Sequence, residues 1–206
     1  MLNSSAPHGP GAEVPTDRKV MRKRSIKPFR PVHPSPAALV TSVSRDGRPN
    51  IITLGEVFNV SIASPVILGI AIAKPRYSHE LISAAGEYVV NLPTAGMVET
   101  VDRCGTVSGR EVNKFTEFHL MPVPAEKVRP PLIAECPVNI ECRVIGIQEI
   151  GDHDLFLGEA VAEHVAEEAL DEDGRVRVDK LDPLCYLHGQ YWSCGNKLGH
   201  HGFTRA

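Results

Sequence analysis

Two long stretches of alternating side chains, which meet at GDHD (residues 151–154), restrict the fold more than any other feature of this sequence. The first, CPVNIECRVIGIQEIG, begins at Cys136, and the second, HDLFLGEAVAEHVAEEAL, begins at His153. Successive residues of a β-strand point to opposite faces of a sheet, and a connection this short joins antiparallel neighbours. The two stretches therefore predict a long antiparallel hairpin.

Further strands and a few helices are predicted on both sides of this hairpin. AALVTSVS leads through a turn at Asp46 and Gly47 into IITLGEVFNVSI, and the apolar runs SPVILGIAIA and EYVVNLP follow. SHELISAAG predicts a helix with Ser78 as its N-cap and Gly86 at its end, and residues 96–120 predict one or two more helices. Strands and helices do not alternate regularly, which argues against a doubly wound parallel sheet. The pattern predicts a mainly β protein, an antiparallel barrel that is closed or nearly closed.

The composition predicts one soluble domain at residues 26–206, preceded by a disordered tail at residues 1–25. The formal net charge of -3 argues against nucleic acid as a partner, and the apolar runs are too short to cross a membrane. The five cysteines are an odd number without C-x-x-C spacing, which indicates reduced thiols and no metal site. Because residues 1–15 show no secretory pattern, we expect a cytoplasmic protein.

A cluster of basic residues between positions 18 and 30 allows two interpretations. These residues are Arg18, Lys19, Arg22, Lys23, Arg24, Lys27 and Arg30. Such a cluster can bind an anionic ligand or a nucleic acid, or it can be a solvated arm. The prolines at positions 28, 31, 34 and 36 favour the solvated arm, because they block helix formation.

The segment KPRYS joins a buried strand directly to a predicted helix and is a candidate anion site. A helix N-terminus presents unpaired N–H groups and the positive end of the helix dipole. Arg76 can bind phosphate oxygens, Ser78 can donate a hydrogen bond from its hydroxyl, and Lys74 adds a further positive charge. The alternative is a capped turn with both cations in water, and the residue types alone do not decide between the two.

Two further segments carry polar groups that could reach a ligand. In TVSGREVNKF, Ser108 and Gly109 could offer a hydroxyl and backbone amides to the same anion, with Lys114 as a second cation. The spacing alone favours a plain loop with an exposed lysine. In GDHD, His153 could hydrogen-bond a ligand or titrate near neutrality, although these residues are typical of a turn. The sequence contains no metal-ligand spacing, P-loop or nucleophile elbow.

These segments, in this order, resemble the flavin reductase-like family, the FMN-binding split barrels that include the flavoredoxins. The resemblance covers roughly residues 30–200: the run from LVTSVS to EYVVNLP, then CGTVSGREVNKF, PLIAECPVNIECRV, GDHDLFLGEAV and PLCYLHGQYWSCGNKLG. It implies a Greek-key split barrel that forms a homodimer, with one FMN bound by each subunit near the interface.

The resemblance also implies where the FMN phosphate would bind. It would lie at the start of the helix after KPRYS, a segment that includes Lys74 and Tyr77, with Arg76 and Ser78 as direct ligands. Lys114 and the loop at Ser108 and Gly109 would close over it.

For the flavin ring, the resemblance implies contacts with backbone groups of one strand. The strand residues concerned are Asn50, Thr53, Leu54, Gly55 and Glu56. His153 becomes a candidate beside the nicotinamide site, and Tyr191 and Trp192 would pack near the flavin of either subunit. Glu56 differs from the family pattern, because the family often has an aromatic or small polar residue at this position.

The function implied is an NAD(P)H-dependent flavin reductase, in which the nicotinamide stacks on FMN and passes a hydride to it. Hydride transfer needs orientation rather than an acid or a base, which agrees with a sequence that shows no catalytic dyad or triad. The reduced flavin would serve a monooxygenase, ferric iron or another acceptor. One alternative is a flavoredoxin-like electron carrier that reacts little with NAD(P)H. Another is a flavin-binding protein with a different reaction, suggested by Glu56.

Overall fold

The computed structural model describes residues 21–205, and these form twelve strands and three α-helices. The strands are β1 (Ser35–Pro36), β2 (Ala38–Val43), β3 (Pro49–Leu54), β4 (Val57–Ser61), β5 (Ile67–Ala73), β6 (Glu87–Leu92), β7 (Pro122–Val123), β8 (Leu132–Ile133), β9 (Val138–Ile150), β10 (His153–Val165), β11 (Leu184–Leu187) and β12 (Gln190–Ser193). The helices are α1 (Tyr77–Ala85), α2 (Val98–Thr106) and α3 (Lys114–Glu117), with short 3-10 helices at Ala95–Met97, Glu167–Ala169 and Val178–Lys180.

Seven strands form one antiparallel sheet in the order β3-β2-β6-β9-β10-β5-β4. The hairpin of β9 and β10 lies at its centre and is paired from Ile150 opposite His153 to Val138 opposite Val165. The long hairpin predicted from the sequence is therefore confirmed. Two small sheets, β1-β11-β12 and β7-β8, complete the fold.

Two apolar clusters lie on opposite faces of β2, whose residues are all buried. Val40 belongs to a cluster around Tyr88 to which all strands of the large sheet contribute, so the sheet encloses it as a barrel does. Its neighbour Leu39 belongs to a second cluster, in which α2 and α3 contribute Val101 and Phe115. Strand residues alternate between faces, so a strand covered on both sides is apolar throughout. This packing holds α2 and α3 against the outer face of the barrel.

One predicted strand is broken in the structure. IITLGEVFNVSI forms β3 and β4, which are separated at Gly55 and Glu56. The backbone N–H of Ala71 on β5 donates to the Glu56 carbonyl oxygen at 3.0 Å, and a Cβ at Gly55 would lie 2.8 Å from the ring of Tyr186. Only glycine permits this close approach of two chain segments. The break therefore places the end of β3 beside the hairpin of β11 and β12.

The basic segment before β1 is exposed and has neither helix nor strand over residues 21–34. Residues 1–20 of the predicted tail lie outside the described part of the chain. Among the helices of residues 21–205, none combines the length and the apolar character needed to cross a bilayer.

Candidate functional site

The N-terminus of α1 lacks a side-chain cap. The chain turns after β5, with the N–H of Arg76 donating to the carbonyl oxygen of Ala73 at 3.0 Å. Arg76 is the N-cap of α1, has an extended backbone, and makes no side-chain cap. An arginine side chain has no acceptor to offer the first-turn N–H groups. The N–H of His79 donates to the Arg76 carbonyl oxygen, so the other first-turn N–H groups and the helix dipole are available to an anion.

Ser78 is not the N-cap, and the sequence prediction of that role is wrong. Ser78 lies inside the first turn of α1 and is 2% exposed. Its hydroxyl oxygen accepts a hydrogen bond at 2.7 Å from Nδ2 of Asn50, which lies 3.3 Å from the hydroxyl oxygen of Ser42. Because the Ser78 oxygen accepts this bond, its own proton stays available for another acceptor. Gly86 ends α1 as predicted, with a left-handed backbone conformation (φ 69°).

The loop after α2 closes against the same corner. A Cβ at Gly109 would lie 1.8 Å from Oδ1 of Asn50 and 3.4 Å from the ring of Tyr77. Oδ1 of Asn50 is buried and has no hydrogen-bond partner among the described residues. Buried polar atoms in proteins nearly always have a partner, so this oxygen marks a place where a donor from a ligand or water fits. The structure thus brings together two segments that the sequence singled out separately, KPRYS and TVSGREVNKF.

Arg110 holds this loop on α1. Its guanidinium lies 4.5 Å from the centroid of the Tyr77 ring, and it donates to the Glu80 carboxylate at 2.7 Å. The backbone N–H of Arg110 also donates to the Ser108 hydroxyl oxygen at 3.2 Å. The Ser108 hydroxyl therefore stabilises its own loop. Nothing in the local sequence distinguishes Arg110, because its partners come from a distant helix.

A small polar cavity of about 240 Å³ lies between the start of α1, the end of β3 and α2. Its walls include Thr53, Leu54, Gly55, Glu56, Arg76 and Tyr191. The hydroxyl of Thr53 donates to the Val101 carbonyl oxygen at 2.6 Å, so it fixes α2 to β3. Burial, with the negative charge of Asp102, raises the pKa of Tyr191 to about 12, and the phenol therefore stays neutral.

The two aromatic residues predicted near the flavin face opposite sides of β12. Tyr191 pairs with Tyr186 across the hairpin, with ring centroids 5.3 Å apart, and both line the polar cavity. Trp192 is 54% exposed and lies on the other face of the strand. Within one subunit, the structure brings Tyr191 but not Trp192 to the cavity.

A larger and mainly apolar cavity of about 700 Å³ adjoins the polar one and shares Arg30, Gly55, Glu56 and Tyr186 with it. Its apolar wall consists of Val57, Leu68, Val90, Leu92 and Ile140. Arg30 forms an ion pair with Glu56 where the cavities meet, and its guanidinium lies 5.4 Å from the centroid of the Tyr186 ring. Nothing in the local sequence distinguishes Arg30 from the other basic residues of the arm.

Lys114 is buried close to the polar cavity and is not the exposed lysine that its spacing favours. It is 4% exposed, and its ammonium group donates to the carbonyl oxygens of Ile51, at 2.8 Å, and Cys104. Burial lowers the pKa of Lys114 to about 8; the nearby Cys104 opposes this shift and the positive charge of Arg76 adds to it. An ammonium group has three protons, so one remains for a further acceptor.

Lys74 is held at a different place from Arg76. Its ammonium nitrogen lies 2.9 Å from Oε2 of Glu149 and 3.4 Å from Oδ1 of Asp154. Lys74 lines neither the polar nor the apolar cavity. The structure therefore does not bring it to the predicted phosphate site, because carboxylates of the β9–β10 hairpin attract it.

His153 is the first residue of β10 and lines a third cavity of about 650 Å³, together with Glu56, Phe58 and Leu155. Its Nδ1 lies 3.0 Å from Oδ1 of Asp152, and this hydrogen bond lowers the pKa of the Asp152 carboxyl. Donation from Nδ1 to this carboxylate leaves Nε2 as the ring nitrogen that is free for another partner. His153 and Glu56 thus lie on one cavity.

The chain matches a known protein family over most of its length. The model of the flavin reductase like domain matches residues 30–195. The chain belongs to this family. The matched residues include every element that lines the polar cavity of this flavin reductase-like chain. Within residues 21–205, the structure contains no group of three or more His, Cys, Asp or Glu residues that could hold a metal ion.

Similar proteins of known structure share the fold of this flavin reductase-like chain. Flavoredoxin of Desulfovibrio vulgaris (Miyazaki F) is 28% identical, with a TM-score of 0.82 over 89% of this chain and 99% of that protein. Flavoredoxin from Methanosarcina acetivorans is 33% identical, with a TM-score of 0.78 over 88% of this chain and 97% of that protein. The split-barrel fold expected from the resemblance is thereby confirmed.

A curated relative carries an enzyme name. NADH:riboflavin 5'-phosphate oxidoreductase of Streptomyces pristinaespiralis is 28% identical over 151 residues, which cover 73% of this chain and 82% of that protein. The similar proteins thus include two named flavoredoxin and one named as an oxidoreductase.

Proposed function

We propose that the protein binds FMN, with the phosphate at the N-terminus of α1 and the flavin ring in the adjoining apolar cavity. The observation that carries this proposal is an uncapped first turn, with Arg76 beside a polar cavity that opens into a larger apolar one. A phosphate monoester carries nearly two negative charges at neutral pH and suits N–H groups and a guanidinium. A flat aromatic ring suits the apolar wall.

Arg76 lines the polar cavity, and buried residues near it also fit such a ligand. Arg76 would bind the phosphate oxygens directly, and the free proton of the Ser78 hydroxyl would add a hydrogen bond. Gly109 allows the loop backbone to approach this corner, since any side chain there would collide with Asn50. Lys114 would contribute positive charge from its buried position near Arg76.

We further propose that the protein passes a hydride from NADH or NADPH to the flavin. FMN supplies the redox chemistry when it is bound, and the protein supplies binding, orientation and exclusion of water. His153 would hydrogen-bond the nicotinamide dinucleotide through Nε2, since it lines the cavity on the far side of Glu56. Arg30 would keep the charge of Glu56 neutralised beside the ring. The relative named NADH:riboflavin 5'-phosphate oxidoreductase supports this proposal.

A second candidate function is electron transfer with little direct NAD(P)H activity. The similar structures named flavoredoxin support it. In this case the same phosphate site would hold FMN permanently, and electrons would arrive from a protein partner. The two candidates share the cofactor and differ in whether the cavity at His153 accepts a dinucleotide.

We also propose that the protein acts as a homodimer in the cytoplasm and delivers electrons to a monooxygenase or another acceptor. Apolar side chains exposed on β4 and β9 support the homodimer: Phe58, Val60, Ile145 and Ile147. Exposed apolar patches of this kind are typical of protein interfaces.

The experiment that tests the function is an anaerobic titration of the purified protein. FMN is added first and its fluorescence is followed, and NADH or NADPH is then added while the flavin absorbance is recorded. Quenching followed by rapid bleaching is expected of a reductase, and quenching without bleaching is expected of a carrier. Unquenched FMN fluorescence at saturating protein would falsify the proposed cofactor.

A further inference from the structure

The hairpin of β11 and β12 carries cysteines on its outer face and cavity residues on its inner face. Tyr186 is paired with Tyr191, and both line the polar cavity. Cys185 is paired with Trp192, which is exposed. Because neighbouring strand residues point in opposite directions, Cys185 lies on the face away from the cavity. Within residues 21–205, β12 is the edge strand of its sheet, and β11 is the strand that pairs with it and holds Tyr191 through the backbone.

Cys194 follows β12 directly and reaches back to Cys185. The two sulfur atoms are 3.1 Å apart, Cys185 is half-buried and Cys194 is exposed. The other cysteines, Cys104, Cys136 and Cys142, are buried. A disulfide requires the sulfurs to approach by only about 1 Å more, to their bonded distance. This pair is therefore placed to form a bond with little movement of the backbone.

We propose that Cys185 and Cys194 are a reversible thiol pair, which low-molecular-weight disulfides oxidise to an intramolecular disulfide that ties β12 and its Tyr191 to β11. In the first step, the Cys194 thiolate attacks the small disulfide, forms a mixed disulfide and releases one small thiol. In the second step, the Cys185 thiolate attacks the Cys194 sulfur and releases the second small thiol. The protein loses two electrons and two protons, and the small disulfide gains them.

The environments of the two sulfurs set this order of attack. Burial, together with the neighbouring Cys194 sulfur, raises the pKa of the Cys185 thiol, which keeps it protonated and slow to react. Cys194 is exposed and accessible to a small disulfide. Once a mixed disulfide has formed, the proximity of Cys185 favours closure over a second external attack. This inference does not depend on flavin binding.

The test uses the full chain, incubated with defined mixtures of reduced and oxidised glutathione, alkylated, and analysed by mass spectrometry. In oxidised mixtures we expect a cross-linked peptide joining Cys185 to Cys194, while Cys104, Cys136 and Cys142 remain alkylated after unfolding. Addition of dithiothreitol should restore all thiols. In C185S, Cys194 should instead retain glutathione. Alkylation of both Cys185 and Cys194 in every mixture, or disulfides only between chains, would overturn the proposal.

A second measurement tests the effect on the strand. Hydrogen exchange of the backbone amides at residues 190–193 should slow severalfold in the oxidised protein relative to the reduced one. C194S, treated with the same mixtures, is the matched control and should show no such difference. Equal exchange in the oxidised and reduced wild type would show that the disulfide does not restrain β12, and would overturn that part of the proposal.

Discussion

Asn50 positions Ser78, because its Nδ2 donates to the Ser78 hydroxyl oxygen at 2.7 Å and both side chains are buried. This bond joins β3 to the first turn of α1 and leaves Oδ1 of Asn50 facing Gly109. Three segments that are distant in sequence therefore converge on one corner.

Replacing Arg76 with alanine should weaken FMN binding far more than riboflavin binding. Loss of one charge-assisted phosphate contact costs about 1.5–3 kcal/mol of binding free energy. Riboflavin lacks the phosphate, so its affinity should not depend on this contact. Fluorescence titration of both ligands measures the difference. Lys74→Ala is the matched control, because Lys74 pairs with Glu149 and Asp154, and its loss should change neither affinity much. Equal weakening of FMN and riboflavin in Arg76→Ala would show that Arg76 does not touch phosphate.

Gly109→Ala should destabilise the fold and weaken FMN binding together. The new methyl group would meet Oδ1 of Asn50 at 1.8 Å and push it away from Ser78. Overpacking of this kind costs about 1–3 kcal/mol, which urea unfolding can measure. Gly195→Ala is the control, because a Cβ there meets nothing within 4 Å. Wild-type stability in Gly109→Ala would mean that the loop does not pack on Asn50 as described.

Burial lowers the pKa of Lys114 to about 8. The affinity for FMN should therefore fall as the pH rises above about 8. Below this pH the folded protein holds a charged ammonium near the site, and above it the group is neutral. Binding of a phosphate dianion favours the charged form, so complex formation then takes up a proton. The loss should not exceed about tenfold per pH unit, since one proton is involved.

Riboflavin titrations over the same pH range provide the comparison for Lys114, and should show no such trend. In Lys114→Met the pH trend for FMN should vanish, and melting curves establish whether that variant is folded. If the pH dependence of FMN affinity persists in folded Lys114→Met, a group other than Lys114 causes it.

His153→Ala should raise the KM for NADH or NADPH roughly 2- to 10-fold and leave the Kd for FMN unchanged. This is the loss of one ordinary hydrogen bond, about 0.5–1.5 kcal/mol, from a residue that lines the third cavity but not the polar one. Steady-state kinetics at saturating FMN separate KM from kcat. Asp152→Asn replaces the charged acceptor of Nδ1 with a neutral amide oxygen and should have a smaller effect in the same direction. An unchanged KM in His153→Ala would exclude contact with the dinucleotide.

Glu141→Gln should cost about 1.5–3 kcal/mol of stability at neutral pH, the range for hydrogen bonds to a charged group. The buried carboxylate accepts the backbone N–H groups of Glu126, Lys127 and Val128 and contacts His164 at 2.7 Å. Burial alone would raise the pKa of Glu141, but these hydrogen bonds outweigh it and lower the pKa below the model-compound value of 4.5.

The sign of the pH dependence at Glu141 follows from this lowered pKa. The Glu141 carboxylate stabilises the fold fully above pH 4.5, its pKa in the unfolded chain. This stabilisation is lost as the pH falls through the lower pKa of the folded protein. The stability gap between wild type and Glu141→Gln should therefore narrow in acid, as urea unfolding at neutral and acid pH can show. Glu163→Gln, at an exposed position on the same hairpin, should behave as wild type. A constant gap at all pH values would contradict the assignment.

Local patterns in the sequence were sufficient for most of the secondary structure and for the region of the site. Alternation predicted β9 and β10, Gly86 predicted the end of α1, and KPRYS pointed to the helix N-terminus that faces the polar cavity. These features depend on residues that are close in sequence, because pleating and helix ends are local geometry. The family resemblance extended them to the fold.

Only the tertiary structure decided which polar groups meet at that site. Lys74 and Lys114 are both candidate phosphate cations in the sequence, yet Lys74 lies against Glu149 and Asp154 whereas Lys114 is buried near Arg76. Arg30 looks like any other basic residue of the arm until the fold places it against Glu56. Such pairings depend on strand order and on contacts between residues remote in sequence, and no local pattern encodes them.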